Sequence, residues 1–234
     1  MIKMIKAILT IDDIPSKNTP AFVDYLKENE IPAIMFAWGE HLEKHPDEAE
    51  YAVTNGMIIG NHSYSHPHFS SLSPEECFDE IEKCESLING LYGHTGIKRE
   101  YRPFRFPYGD KGGRNKDTIQ KYLKKKGFHK VRDTGITYPW WKEEGMDRDI
   151  DTFWTFDFEE YRIRPGSGFT AEDVWKRIND PEPEYGSPLF TENGHHIIII
   201  HAHDETEELV PEYYKVFLGY LLKNGVVFEK PEFI

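Results

Sequence analysis

Short runs of β-branched and aliphatic residues recur along this chain, with helix-forming stretches between them, and that alternation constrains the fold more than any other feature. The runs occupy residues 6–11, 33–37, 57–60, 101–105, 129–132, 152–156, 196–200 and 226–228. Most are continuous in apolar character, which is how strands covered on both faces read. Helices fit residues 19–29, 46–55, 116–126, 171–179 and 211–223, with Gly56, Gly127 and Gly225 as stop signals and Thr170 as a cap. The sharpest local signal is Ser73-Pro74-Glu75-Glu76. Ser73 is an N-cap, Pro74 fills the first helical position and Glu76 completes a capping box, opening a helix that runs to Leu91, near Gly93. Strand–helix alternation of this kind predicts an α/β fold with a parallel sheet and helices outside. About eight strands in 234 residues fit one closed (β/α) barrel better than two domains, with an open doubly wound sheet as the alternative. Residues 138–151, with Trp140-Trp141, and residues 180–195, with three prolines, read as long loops on the active face.

The polar residues of interest fall where these strands end: Asp12-Asp13, Asn61-His62, Arg105, Asp157 and His201. In a β/α barrel the C-terminal strand ends converge on one face, so residues far apart in sequence can meet there. His62 and His66 stand four apart in His62-Ser63-Tyr64-Ser65-His66, a spacing that lets two imidazoles reach one metal ion. Asp13 is the natural third ligand, and a His₂Asp set leaves coordination positions open for water and substrate. Asp12 should point away from Asp13 if both remain extended. Two adjacent acids at a strand end need positive charge between them; a metal on Asp13 and the Arg105 guanidinium on Asp12 would supply it.

Composition closes off other classes. Lys and Arg total 28 against 41 Asp and Glu, a net charge of −13, which argues against a nucleic-acid backbone or an anionic lipid surface as partner. No apolar run approaches the roughly 20 residues that span a bilayer. The first residues reach Asp12-Asp13 too soon for a signal-peptide core, so a cytoplasmic location is expected if residue 1 is the native start, and a secreted one if the N-terminus has been trimmed. Cys77 and Cys84, seven apart on a helix, lie roughly 10 Å apart along its axis and are expected to be buried and unbridged.

Four segments, in order, resemble the motifs of the polysaccharide deacetylases, the NodB-like carbohydrate esterases. Thr10-Ile11-Asp12-Asp13 is similar to the family's T-F-D-D; Gly60-Asn61-His62-Ser63-Tyr64-Ser65-His66-Pro67 resembles H-[ST]-x-x-H with its flanks. Phe104-Arg105-Phe106-Pro107-Tyr108-Gly109 resembles R-x-P-[FY]-G, and Ile199-Ile200-His201 resembles L-x-H. The resemblance spans most of the chain and implies one catalytic domain over residues 1–234, folded as a distorted (β/α) barrel of seven or eight strands. It implies a divalent metal, zinc with cobalt or nickel as alternatives, on Asp13, His62 and His66. It implies Asp12 as general base, Arg105 as the group that holds it, the Tyr108 backbone N–H at the oxyanion and His201 as the acid that protonates the leaving amine. The fourth family motif, D-x-x-D-W, is altered here to Asp157-Phe158-Glu159-Glu160-Tyr161, so Glu160 takes the place of the acid that orients the catalytic histidine. His203 is a second histidine beside His201 that could act as the acid; Tyr108, Trp140, Trp141 and His203 are the candidate substrate contacts, and Trp140, Trp141 and Trp154 could stack on sugar rings, with core packing or loop anchoring as the default for each. The implied reaction is removal of an N-acetyl group from an amino sugar, releasing acetate. The alternatives are hydrolysis of a small non-sugar amide and a carbohydrate-binding module that has lost catalysis. Oligomeric state is not legible.

Overall fold

A computed structural model describes residues 4–234. In chain order the elements are β1 (Ile5–Ile14), α1 (Thr19–Glu28), β2 (Ala33–Ala37), α2 (Gly39–Lys44), α3 (Pro46–Thr54), β3 (Ile58–Asn61), α4 (Pro74–Thr95), α5 (Lys116–Lys125), α6 (Pro139–Glu143), β4 (Phe156–Asp157), α7 (Ala171–Ile178), β5 (His195–His201), α8 (Asp204–Leu209), α9 (Tyr213–Lys223) and β6 (Val226–Phe228). The strands form one parallel sheet in the order β3-β2-β1-β5-β4. β6 adds to β1 at Ile5–Ala7, while β2 pairs with β1 from Leu9 onward.

Two expected strands shrink to single bridges: Phe104 pairs with Asn61, and Val131 pairs antiparallel with Phe233. The segment expected at 152–156 is a regular strand only at Phe156–Asp157. These short pieces still close the ring. Asn61 N–H donates to Pro103 O and Arg105 N–H to Asn61 O, Thr152 N–H donates to Phe104 O, and Thr155 N–H donates to Ile197 O on β5. The fold is therefore a distorted barrel whose closing side is irregular. Pro103 and Pro107 explain part of that irregularity, because a proline cannot donate to a ladder.

The strand period of two decides what points where. On β1, Ala7, Leu9 and Ile11 face outward into the main core under α1, α3, α4, α7 and α9. Ile8, Thr10 and Asp12 face inward. Ile8 packs with Ile34, Phe36 and Ile197 in a second apolar cluster that plugs the barrel. Thr10 lies above that plug and Asp12 above Thr10. On β5 the same rule sends Ile198 and Ile200 outward and Ile197, Ile199 and His201 inward.

The capping box at Ser73 is present, with Ser73 N–H on Glu76 Oε2 at 2.8 Å and Glu76 N–H on Ser73 Oγ at 3.3 Å. The helix passes Gly90 and Gly93 and ends at Gly96, whose φ of 69° is the left-handed stop. Both cysteines are buried and unbridged. Among the described residues no helix is long and apolar enough to cross a membrane.

Candidate metal centre and cleft

The sequence's acid pair meets the site through a distortion of β1. The β1–β2 register slips between Ile11 and Ile14, and Asp13 sits there at φ 64°. Regular alternation would send Asp13 outward; the bulge turns it back, so Asp12 and Asp13 line the same cleft. The cleft has a volume of about 770 Å³. Divergence of the two acids is tied to both remaining extended, and Asp13 does not remain extended.

His62 and His66 arrive on a turn held from α4. Asn61, fully buried at the end of β3, donates to Glu85 Oε2 at 3.1 Å and accepts the Ser63 N–H at 2.9 Å. Glu85 is anchored by Arg99 and Arg102 at 2.5 and 2.7 Å. Glu80 accepts the Tyr64 and Ser65 N–H groups at 3.1 and 2.7 Å. Ser63 and His66 adopt φ of 67° and 56°, so the turn depends on these external bonds.

The three donors converge. Asp13 Oδ1 lies 3.6 Å from His62 Nε2 and 3.3 Å from His66 Nε2, and the two Nε2 atoms are 3.3 Å apart. A tetrahedral ion with bonds of about 2.0–2.1 Å to such ligands needs edges of about 3.3–3.4 Å. Asp13 Oδ1 is also a buried oxygen with no hydrogen bond. His62 Nδ1–H donates to Arg105 O at 2.9 Å, which turns Nε2 inward with its lone pair free. Burial pushes the His62 imidazole down to about 4 despite Asp12 and Asp13, so it is neutral at pH 7 and able to ligate. Burial alone would raise the Asp13 carboxyl, but the hydrogen bond from His203 and the close approach of the His66 imidazole hold it well below the usual range. The donor set fits a divalent metal.

Asp12 stands beside this centre, its Oδ2 at 3.8 Å from His62 Nε2. Its Oδ1 accepts from Arg105 Nη1 at 2.7 Å. Arg105 is fully buried and also donates to Thr10 Oγ1 at 2.7 Å and Thr152 O at 2.9 Å, with its guanidinium 4.4 Å from the Phe36 ring.

His201 lines the same cleft from β5. Its Nδ1 is 3.2 Å from Glu160 Oε1, and its carbonyl accepts the Tyr213 hydroxyl. Burial pulls this imidazole down, but the charge and hydrogen bond of Glu160 and the charge of Asp157 push it up to about 10. Asp157, Glu160 and His201 also cluster closely enough to hold an ion. Here the histidine already carries the compensating charge, and its Nδ1 is engaged, so no metal is assigned there. The Tyr161 ring packs 4.6 Å from His201.

A sequence model described as Polysaccharide deacetylase matches residues 3–131, more than half of the chain. This chain belongs to the polysaccharide deacetylase family. A peptidoglycan-N-acetylglucosamine deacetylase from Bacillus cereus is 37% identical over 103 residues, covering 44% of this chain and 36% of the relative. Chitin deacetylase 1 from Cryptococcus neoformans is 26% identical over 200 residues, covering 80% of this chain and 41% of the relative. The matched parts thus amount to less than half of these relatives' length. Among solved structures, the Bc1960 peptidoglycan N-acetylglucosamine deacetylase superposes with a TM-score of 0.62 at 22% identity, over 98% of this chain and 87% of that one. A family 4 carbohydrate esterase from Streptomyces lividans gives 0.61 at 20% identity, over 95% and 91%. A pseudoenzyme of that carbohydrate esterase family from Bacillus anthracis gives 0.61 at 19%, over 97% and 65%, so shared fold alone does not settle activity.

Of the polysaccharide deacetylase motif residues, Asp12, Asp13, His62, His66, Tyr108, Asp157 and His201 line one cleft, joined there by His203, with Arg105 and Glu160 directly behind. Tyr108 forms part of the wall at φ 57°. The tryptophans divide. Trp154 lines the cleft. Trp141 does not: it is 2% exposed, packs with Ile8, Ile34 and Ile197 in the barrel plug, and donates to Asp133 at 2.8 Å. Residues 138–151 are therefore not simply an active-face loop; an amphipathic indole with a buried acceptor suits a core position. Trp140 lines a neighbouring cavity and donates to Ser187 at 3.0 Å. Trp38, Arg162, Arg164 and Phe169 join the cleft without having been singled out in sequence. Trp38, stacked on His66 at 4.8 Å, follows the last residue of β2, so the strand-end rule alone would have found it.

Proposed function

We propose that this protein is a metal-dependent hydrolase that removes the acetyl group from an N-acetylated amino sugar and releases acetate. The carrying observation is the joint placement of Asp12, the Asp13/His62/His66 donors and His201 in one cleft. The named relatives, a peptidoglycan-N-acetylglucosamine deacetylase and a chitin deacetylase, support an acetamido sugar as substrate. So do the aromatic walls from Trp38, Tyr108, Trp154 and Tyr161, which suit the apolar faces of a pyranose. Zinc is the ion we assign, since two imidazoles and one carboxylate are its common catalytic ligands.

Held by Asp13, His62 and His66, a zinc ion would supply Lewis-acid polarisation of the amide carbonyl and would lower the pKa of water toward neutrality. Asp12, with Oδ1 pinned by Arg105, presents Oδ2 to the cleft and takes the proton from the attacking water. The Tyr108 backbone N–H is the assigned donor to the oxygen on which negative charge develops. His201, kept protonated by Glu160 and Asp157, gives its proton to the nitrogen as the C–N bond breaks, so the amine leaves neutral. Water's oxygen ends in acetate.

The test is an acetate-release assay on N-acetylglucosamine and its oligomers, with zinc, cobalt and nickel added back singly to stripped protein. Release by the native chain and its loss in Asp12→Asn support the reading. Cleavage only of small non-sugar amides would shift the substrate class, and binding of the oligomers without release would make the chain a carbohydrate-binding module.

A further inference from the structure

We propose that His203 is a positioning residue that fixes which oxygen of Asp13 faces the metal; this rests on the metal reading of Asp13, His62 and His66. The Asp13 carboxylate is divided between two tasks. Its Oδ2 accepts from His203 Nε2 at 2.7 Å. Its Oδ1 is buried, takes no hydrogen bond, and faces His62 Nε2 and His66 Nε2. A carboxylate tied at one oxygen offers the other as a single ligand atom and cannot swing to grip an ion with both.

Asp13 needs such a tie. It sits at φ 64° in the β1 bulge, a conformation that L residues with a Cβ seldom hold unaided. Two histidines brace it from outside the metal set. His41 Nδ1–H donates to the Asp13 carbonyl at 3.0 Å, fixing the backbone. His203 fixes the side chain.

His203 is itself anchored to the segment it braces. It precedes α8, and the next residue, Asp204, accepts the N–H groups of Lys17 and Asn18 at 3.4 and 3.2 Å. Those two residues lie three and four positions beyond the end of β1 at Ile14, so the start of α8 is tied to the segment that leaves the Asp13 bulge. The same geometry decides between the two histidines of His201-Ala202-His203. The Nε2 proton of His203 is committed to Asp13, whereas His201 rests on Glu160.

The test compares His203→Gln, His203→Asn and His203→Ala with the native chain. A glutamine amide nitrogen can occupy the place of histidine Nε2, whereas asparagine is too short to reach it. Each protein is stripped with chelator, checked for fold by circular dichroism and melting temperature, and titrated with zinc against a chromophoric chelator. The expected zinc Kd is within about threefold of native for His203→Gln and about 10–100-fold weaker for His203→Asn and His203→Ala. The cobalt absorption spectrum should follow the same division. An asparagine variant that is folded and binds zinc within twofold of native overturns the proposal, as does equal weakening in glutamine and asparagine, which marks a merely structural role. A native chain that binds no zinc fails the metal reading instead, and the proposal with it.

Discussion

Arg105 and Asp12 form the most deeply buried ion pair of the site, and breaking it should cost more than removing both partners would suggest. In Arg105→Met, Asp12 stays 3% exposed and loses its 2.7 Å partner, while Thr10 Oγ1 and Thr152 O lose a donor. Stranding one partner of a buried pair costs about 3–5 kcal/mol. At about 2–4 °C per kcal/mol for a chain of this size, the melting temperature should fall by about 6–20 °C. Asp12→Asn strands the guanidinium instead, although it keeps its bonds to Thr10 and Thr152. The double variant strands neither charge. It should therefore be less destabilised than the sum of the singles, with a coupling of about 2–3 kcal/mol. Urea unfolding of the four proteins in chelator measures this without a contribution from bound metal. Additivity of the singles within about 0.5 kcal/mol would refute the reasoning, because it would mean that the two charges do not compensate one another in the folded chain.

Other consequences are open to direct test. His201 has a folded-state pKa of about 10 against an ordinary value of 6.5, so its contribution to stability is complete below about pH 6.5 and disappears as pH rises through 10. His201→Gln in chelator should flatten the decline of the urea midpoint across that window; an unchanged slope contradicts the assignment. Glu160→Gln removes the charge and the hydrogen bond that raise this histidine, so the alkaline limb of kcat should move to lower pH. Trp141→Ala should lower stability by about 3–5 kcal/mol and leave KM for an acetamido sugar unchanged, while Trp154→Ala should raise KM with a smaller loss of stability.

Much of this arrangement was legible because it follows from strand period and strand ends. Asp12 and His201 face inward by alternation along β1 and β5, and both stand where a barrel strand gives way to a loop. The capping box at Ser73 is a contact within four residues, so sequence carries it whole. What sequence carries poorly is any feature set by a bond across the chain. The turn of Asp13 into the cleft needs a bulge braced by His41 and His203, 28 and 190 residues away. The metal turn depends on Glu80 and Glu85 of α4, two acids that read as ordinary charges on a solvated helix. Trp141 carries the same local signal as a sugar-stacking aromatic, and only the plug beneath Thr10 shows why it is core. The segments at 101–105 (Tyr-Arg-Pro-Phe-Arg) and 129–132 (His-Lys-Val-Arg) carry few apolar residues, and there Phe104 and Val131 are buried with a single bridge each and no extended pairing.

The central claim is that one metal on Asp13, His62 and His66 enables acetate release in partnership with Asp12. A single titration tests it: chelator-stripped protein receives zinc from zero to three equivalents while acetate release from an N-acetylglucosamine oligomer is followed. The account predicts no release without metal, a linear rise that breaks at one equivalent per chain, and no rise in His62→Ala. Release from stripped protein, or the same break in His62→Ala, would contradict it.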